Sequence, residues 1–232
     1  MSLAALKRDL RRRASPRKAA ILQRFFKTGP GEYGEGDRFL GVVVPDIRAV
    51  AKRFRGLGIP RFAPLLKSPF HEERLLALLM LVDRYQRGDA REQARAWRCY
   101  LAHLPHINNW DLVDLTAPNI VGAHLDGRSK APLFAWARSP GLWKRRIAVL
   151  ATFHYIRRER FDESLRLARM LRGDPEDLIH KAVGWMLREV GKRDGRVLEA
   201  FLRRHARRMP RTMLRYAIER FPERKRQAYM TM

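Results

Sequence analysis

Trp110 and Asp114 are the pair of side chains in this sequence whose types and spacing most suggest chemistry. They lie in the segment Ile107–Asp114, which reads Ile-Asn-Asn-Trp-Asp-Leu-Val-Asp. A spacing of four places both on one face of a helix, one turn apart. A fixed carboxylate beside an aromatic plane suits a reaction that develops positive charge on its substrate. The anion stabilises the cationic transition state, as carboxylates do in glycoside hydrolysis, and the ring presents its π-face or edge. The same spacing also describes an ordinary amphipathic helix with a core tryptophan and a solvated acid. The rest of the chain is what sets this segment apart.

That chain is strongly basic. It has 49 Lys and Arg against 24 Asp and Glu, a formal net charge of +25 over 232 residues. Solubility does not require so much charge, and self-repulsion makes it costly in a compact state. A polyanionic partner explains it, with nucleic acid the first candidate. Most of the excess is arginine, suited to bidentate phosphate contacts. Basic runs occur along the whole length, from Arg11–Arg13 through Lys144–Arg146 to Arg224–Arg226, as a long phosphate-backbone footprint would need. A carboxylate within such a surface weakens binding unless it meets a cation, and an N-alkylated purine nucleotide is one. Hydrophobic residues make up 46%, enough for a core, and the single cysteine, Cys99, fits a reducing compartment. The longest apolar run, Leu75–Val82, is too short to span a membrane, and the N-terminus lacks an apolar export signal. The expectation is a soluble, cytoplasmic protein.

The elements that must position Trp110 and Asp114 read as helices. Ser15-Pro16, Ser68-Pro69, Ser139-Pro140 and Asp174-Pro175 are start signals, with the proline expected at the first helical position. Gly88, Gly173 and Gly191 fall where stops belong. Val42–Val44 is the only short β-branched run, and no sheet is expected. Pro69, Pro105, Pro140, Pro175 and Pro210 recur every 35 or 36 residues, and Ala77-Leu78, Ala148-Val149, Ala182-Val183 and Ala217-Ile218 follow four of them at an offset of seven or eight. Such a period, with room for two helices, predicts an all-α fold, an α-solenoid of helix pairs. The alanines are expected where neighbouring helices approach closely. Trp110 and Asp114, then Arg146, then Trp185 and Arg188 fall on the equivalent helix of three consecutive repeats. They are expected to line one concave, basic groove, with Arg146 and Arg188 on phosphates and Trp185 offering a second aromatic ring. Pro118 cannot return an N–H to the Asp114 carbonyl, so a kink or break is expected just past the carboxylate.

Other constellations carry less. Cys99, His103 and His106 have metal-like spacing, but Pro105 interrupts them and a fourth ligand is lacking, so no metal is expected. Gly29, Gly31 and Gly34 match a dinucleotide-binding glycine pattern without a preceding strand. Glu32, Glu35 and Asp37 would repel phosphate there, so a structured loop is expected.

At these residues the sequence resembles the AlkD-type DNA glycosylases, the HEAT-like-repeat family of DNA alkylation repair enzymes. Three segments carry the likeness: Phe25–Pro45 with Tyr33-Gly34-Glu35-Gly36-Asp37, Asn109–Asp114, and Lys181–Glu189. The resemblance implies HEAT-like helix pairs throughout. It casts Asp114 as the catalytic carboxylate, Trp110 and Trp185 as the aromatic pair at the lesion's deoxyribose, and Arg146 as the arginine gripping DNA, within Lys144-Arg145-Arg146. Arg145 is a one-residue alternative for that grip. His154 stands where the family has a DNA-contacting lysine, which puts that contact in doubt. The implied activity is excision of 3-methyladenine and 7-methylguanine from duplex DNA, without a base-extrusion pocket and without a cofactor. With no lysine placed for Schiff-base chemistry, a monofunctional enzyme is expected.

The expected organisation is one domain over residues 1–232, with N-terminal helices and a loop to 66, regular repeats over 67–221 and a basic tail over 222–232, acting as a monomer. The alternatives are a non-catalytic binder of damaged or branched DNA, a helical scaffold for an acidic protein, and an RNA-binding solenoid.

Overall fold

The computed structural model describes residues 1–232 and is helical, its one β-bridge being the isolated pair Arg38 and Phe70. It divides into two compact units, Met1–Thr116 and Ala117–Met232. The first holds α1 (Leu3–Arg11), α2 (Pro16–Phe25), α3 (Val44–Arg53), α4 (Ile59–Phe62), α5 (His71–Arg87), α6 (Ala90–Ala102) and α7 (Trp110–Thr116). The second opens with a π-helical stretch, Ala117–Gly122. It continues with α8 (Ala123–Leu125), α9 (Ala131–Trp136), α10 (Leu142–Ala151), α11 (Phe153–Ile156), α12 (Asp162–Met170), α13 (Asp177–Gly191), α14 (Gly195–His205), α15 (Arg211–Ala217) and α16 (Glu223–Met230). From α5 onward the first helices begin at His71, Trp110, Leu142, Asp177 and Arg211, one to five residues after the periodic prolines. This is the helix-pair succession of an α-solenoid. The basic segment 222–232 contains α16, whose Tyr229 is buried beside Phe221.

In the first unit α5 is the central element, packed by α3, α6 and α7. Its Leu, Ala and Met residues favour helix, and from His71 to Val82 it is buried on every face, as a helix surrounded by neighbours must be. The apolar run noted in the sequence is thus a core helix, and no helix of the protein is long and apolar enough to cross a membrane. In the second unit α13 packs against both α10 and α15, so the first helices of successive pairs lie against one another, with α12 and α14 also on α13. The four Ala-hydrophobe pairs are all buried. Glycines also sit at close approaches: a Cβ on Gly122 of the π-helical stretch would stand 2.3 Å from the Ala151 carbonyl oxygen of α10. A Cβ on Gly184 of α13 would stand 2.5 Å from the Met213 carbonyl oxygen and 2.6 Å from the Tyr216 Cβ.

The start signals need a correction. At Ser15 the helix begins on the proline, with the Ser15 hydroxyl accepting from the Lys18 N–H. At the other three the helix begins two residues beyond the proline, because the side-chain oxygen is engaged earlier. Ser68, Ser139 and Asp174 accept from the N–H two residues on, at Phe70 (3.1 Å), Gly141 (3.2 Å) and Glu176 (3.0 Å). These are ST- and Asx-turns ahead of the cap. A side chain six residues later then folds back. Arg74 donates to the Ser68 carbonyl at 2.8 Å, Arg145 to Ser139 at 3.0 Å, and the His180 ring to Asp174 at 2.5 Å. Each turn is therefore fastened by the helix it introduces.

Pro118 has the expected local effect in a different form. The chain does not break after Asp114 but passes from α7 into the π-helical stretch, whose wider turn absorbs the missing donor. Val42–Val44 likewise leads into α3, with Pro45 in its first turn.

Candidate functional site

Trp110 opens α7. The Asn109 side chain accepts from its backbone N–H at 2.8 Å, and Asp111 does the same for Leu112, so the first turn is capped from both residues. The half-buried indole stacks on Phe26 (centroids 5.1 Å, 22°), meets Phe25 edge-on (6.0 Å, 74°), and donates from Nε1 to the Tyr33 hydroxyl at 3.3 Å. Asp114 lies one turn further along the same helix and is half-buried.

Behind Trp110 is a buried polar cluster. His71 is within 3.2 Å of Asp37 through Nδ1 and 2.7 Å of Asp111 through Nε2. Arg74 meets Asp37 at 2.7 Å, and Asn108 bridges the Arg74 guanidinium and Asp37. Burial raises the Asp37 pKa, but hydrogen bonds from His71 and the charge of Arg74 outweigh it, so the carboxyl titrates below its ordinary value. The loop carrying Asp37 is shaped by glutamates. Gly29 and Gly31 donate their N–H groups to Glu32 and Glu35, occupying amides a phosphate would need. Glu72 accepts from the amides of Leu40, Gly41 and Val42 at 2.7–3.2 Å. Gly41 holds φ +80°, and a Cβ there would run into the Ser15 carbonyl.

The remaining expected residues lie in the second unit. Trp185 on α13 packs beside Phe153 (5.9 Å) and donates from Nε1 to Glu189 at 3.3 Å. Glu189 is also paired with Lys192 (2.6 Å) and Arg193 (3.1 Å). Burial pushes the Glu189 pKa up, but these cations outweigh it and hold the carboxyl below its ordinary range. Arg157 sits over the Phe153 ring at 4.0 Å.

The adjacent basic residues of α10 differ sharply. Lys144 is exposed. Arg145 is buried, bonded to Asp174 at 2.7 Å and to the carbonyls of Ser139 and Pro140. Arg146 is also buried and donates to the Leu178 carbonyl at 2.6 Å. Arg188 pairs with Glu219. His154 approaches Asp126 at 3.1 Å, and its pKa is lowered because burial outweighs that carboxylate. Cys99 and His103 are engaged with each other, the His103 ring donating to the Cys99 carbonyl at 2.8 Å.

Spacing did not point to Phe25, Phe26 and Tyr33 as partners of Trp110, or to Asp37 and His71 behind it, since they come from separate stretches of chain. Glu189 was legible, four residues after Trp185 on one helix.

The family described as DNA alkylation repair enzyme matches residues 6–221. A solved structure described as a predicted DNA alkylation repair enzyme from Enterococcus faecalis superposes with a TM-score of 0.71. The match covers 91% of this chain and 98% of that one at 18% identity, a likeness of fold. No curated protein matches the chain.

Proposed function

Because the chain belongs to the DNA alkylation repair enzyme family, we propose that it is a monofunctional DNA glycosylase acting on cationic alkylated purines in duplex DNA. The observation that carries this reading is Asp114, an acid one helical turn from a braced tryptophan in a protein of net charge +25. In the proposed reaction the C1′–N bond of a nucleotide such as 3-methyladenine or 7-methylguanine breaks heterolytically. Its electron pair neutralises the departing base. The Asp114 carboxylate stabilises the oxocarbenium-like sugar and orients water, which adds to C1′ and releases a proton. The product is an abasic site, the start of base excision repair.

Trp110 and Trp185 are assigned to the sugar, and Lys144, Arg146 and Arg188 to phosphates. Arg145, Arg146, Arg188 and His154 are each already engaged, by Asp174, the Leu178 carbonyl, Glu219 and Asp126, so each would exchange that contact for phosphate, whereas Lys144 is exposed. No cofactor is needed, and the base need not enter a pocket. The proposed setting is a monomer acting on chromosomal DNA in the cytoplasm.

Free-base release from methylated duplex DNA, followed by mass spectrometry, tests the reading. Wild type should release methylated purines, and Asp114→Asn should lose about 10²–10³-fold in rate. Tight DNA binding with no release by wild type would instead identify a binder of damaged duplex.

A further inference from the structure

Asp37 and Asp111 approach one imidazole through its two different nitrogens, at 3.2 and 2.7 Å. Carboxylate oxygens accept and do not donate, so each ring nitrogen must supply a proton, and His71 is an imidazolium. Arg74 adds a second cation at 2.7 Å from Asp37. Two anions and two cations thus form a closed, buried set, which is the condition for holding charge away from water. Its members come from three places: Asp37 from the loop before α3, His71 and Arg74 from α5, and Asp111 from α7. Glu72, next along the chain, is turned to the amides of residues 40–42. The rings of Phe39 (4.7 Å) and Phe26 (5.0 Å) lie against the imidazole.

Two routes lead from His71 to Trp110. One is through the backbone, because Asp111 is the residue after Trp110. The other is through the rings, because Phe26 lies tilted against His71 (5.0 Å, 32°) and stacks on the Trp110 indole. We propose that His71 is a positioning residue for the candidate site: a doubly protonated clamp that fixes the indole of Trp110 and the first turn of α7, and through that helix the direction of Asp114. The catalytic consequence rests on the glycosylase reading, whereas the clamp itself does not.

The clamp has a pH signature. Burial alone would lower the His71 pKa, but hydrogen bonds to Asp111 and Asp37 and the charge of Asp111 outweigh it, even against Arg74, and the net shift is upward. The folded-state pKa therefore exceeds the unfolded one. The contribution is complete below the unfolded value and is lost as pH rises through the folded value.

The test pairs two readouts between about pH 6 and pH 10, the unperturbed histidine value of about 6.5 lying near the lower end. One is the ¹⁹F resonance of Trp110 in fluorotryptophan-labelled protein, assigned by Trp110→Phe. The other is single-turnover base release. In wild type both should step together on the alkaline side. His71→Gln should abolish the step in both and slow release on the order of 10- to 10²-fold. Its DNA Kd should stay within about twofold, since His71 is buried and offers no surface to a partner. Asp111→Asn, which removes one charge and keeps the side-chain shape, should move the step to lower pH, and this carries the test if His71→Gln does not fold. A Trp110 resonance that does not titrate, or a step unmoved by both substitutions, overturns the proposal. A titrating resonance without base release by wild type supports the clamp and removes the glycosylase reading alone.

Discussion

Arg145 and Lys144 are neighbours in sequence, one buried and paired with Asp174 and the other exposed, and substituting each tests a structural role against the proposed DNA contact. Arg145→Ala strands the buried Asp174 carboxylate and frees the carbonyls of Ser139 and Pro140. Removing one partner of such a pair costs about 3–5 kcal/mol, visible as a lower denaturation midpoint. Lys144→Ala should leave stability within about 0.5 kcal/mol, as exposed substitutions do, while weakening DNA binding. A basic triplet in sequence shows only that charge is present. Which member is spent on the fold depended on Asp174, 29 residues away. Trp110 and Asp114 were legible because helical spacing is local. His71 was not, because its two carboxylates lie 34 and 40 residues away on other elements, at separations that follow no period.

At the level of elements, the periodic prolines located the first helices, since proline is tolerated at entrances and not in interiors. The exact starts were not legible, because Ser or Asp can either cap a helix or close a turn ahead of it. The choice here goes with an Arg or His six residues on. The alanine pairs are buried as expected of contact positions, and glycines mark close approaches as well, Gly184 meeting backbone and side chain of α15. Gly184→Ala should therefore destabilise by roughly 1–3 kcal/mol, since backbone must move. Gly195→Ala at the start of α14, where a Cβ meets nothing within 4 Å, should be neutral or stabilise by about 0.4–1 kcal/mol. Thermal melts of the two variants side by side check the contrast.

For the whole molecule, the all-α class and helix-pair succession could be read from a 35-residue period, because each pair repeats the same burial problem. The net charge of +25 carries its own prediction. DNA affinity should fall linearly in log–log form with salt, by roughly 10³–10⁵ between about 50 and 200 mM if 6–10 phosphates are contacted. Titrations on unmodified duplex measure that slope, and a flat line would point to a partner other than nucleic acid. The fastened turns at Ser68, Ser139 and Asp174 also bear on how such a chain can change over evolutionary time. Each of these three first helices carries the latch for its own entrance, so its starting point is set within a span of seven residues. Residues gained or lost in the connection before a latch leave that starting point alone, whereas those gained or lost inside it undo it. Insertions are thereby channelled into the stretches between one pair and the next, and the faces of the first helices keep their register while the chain around them drifts in length.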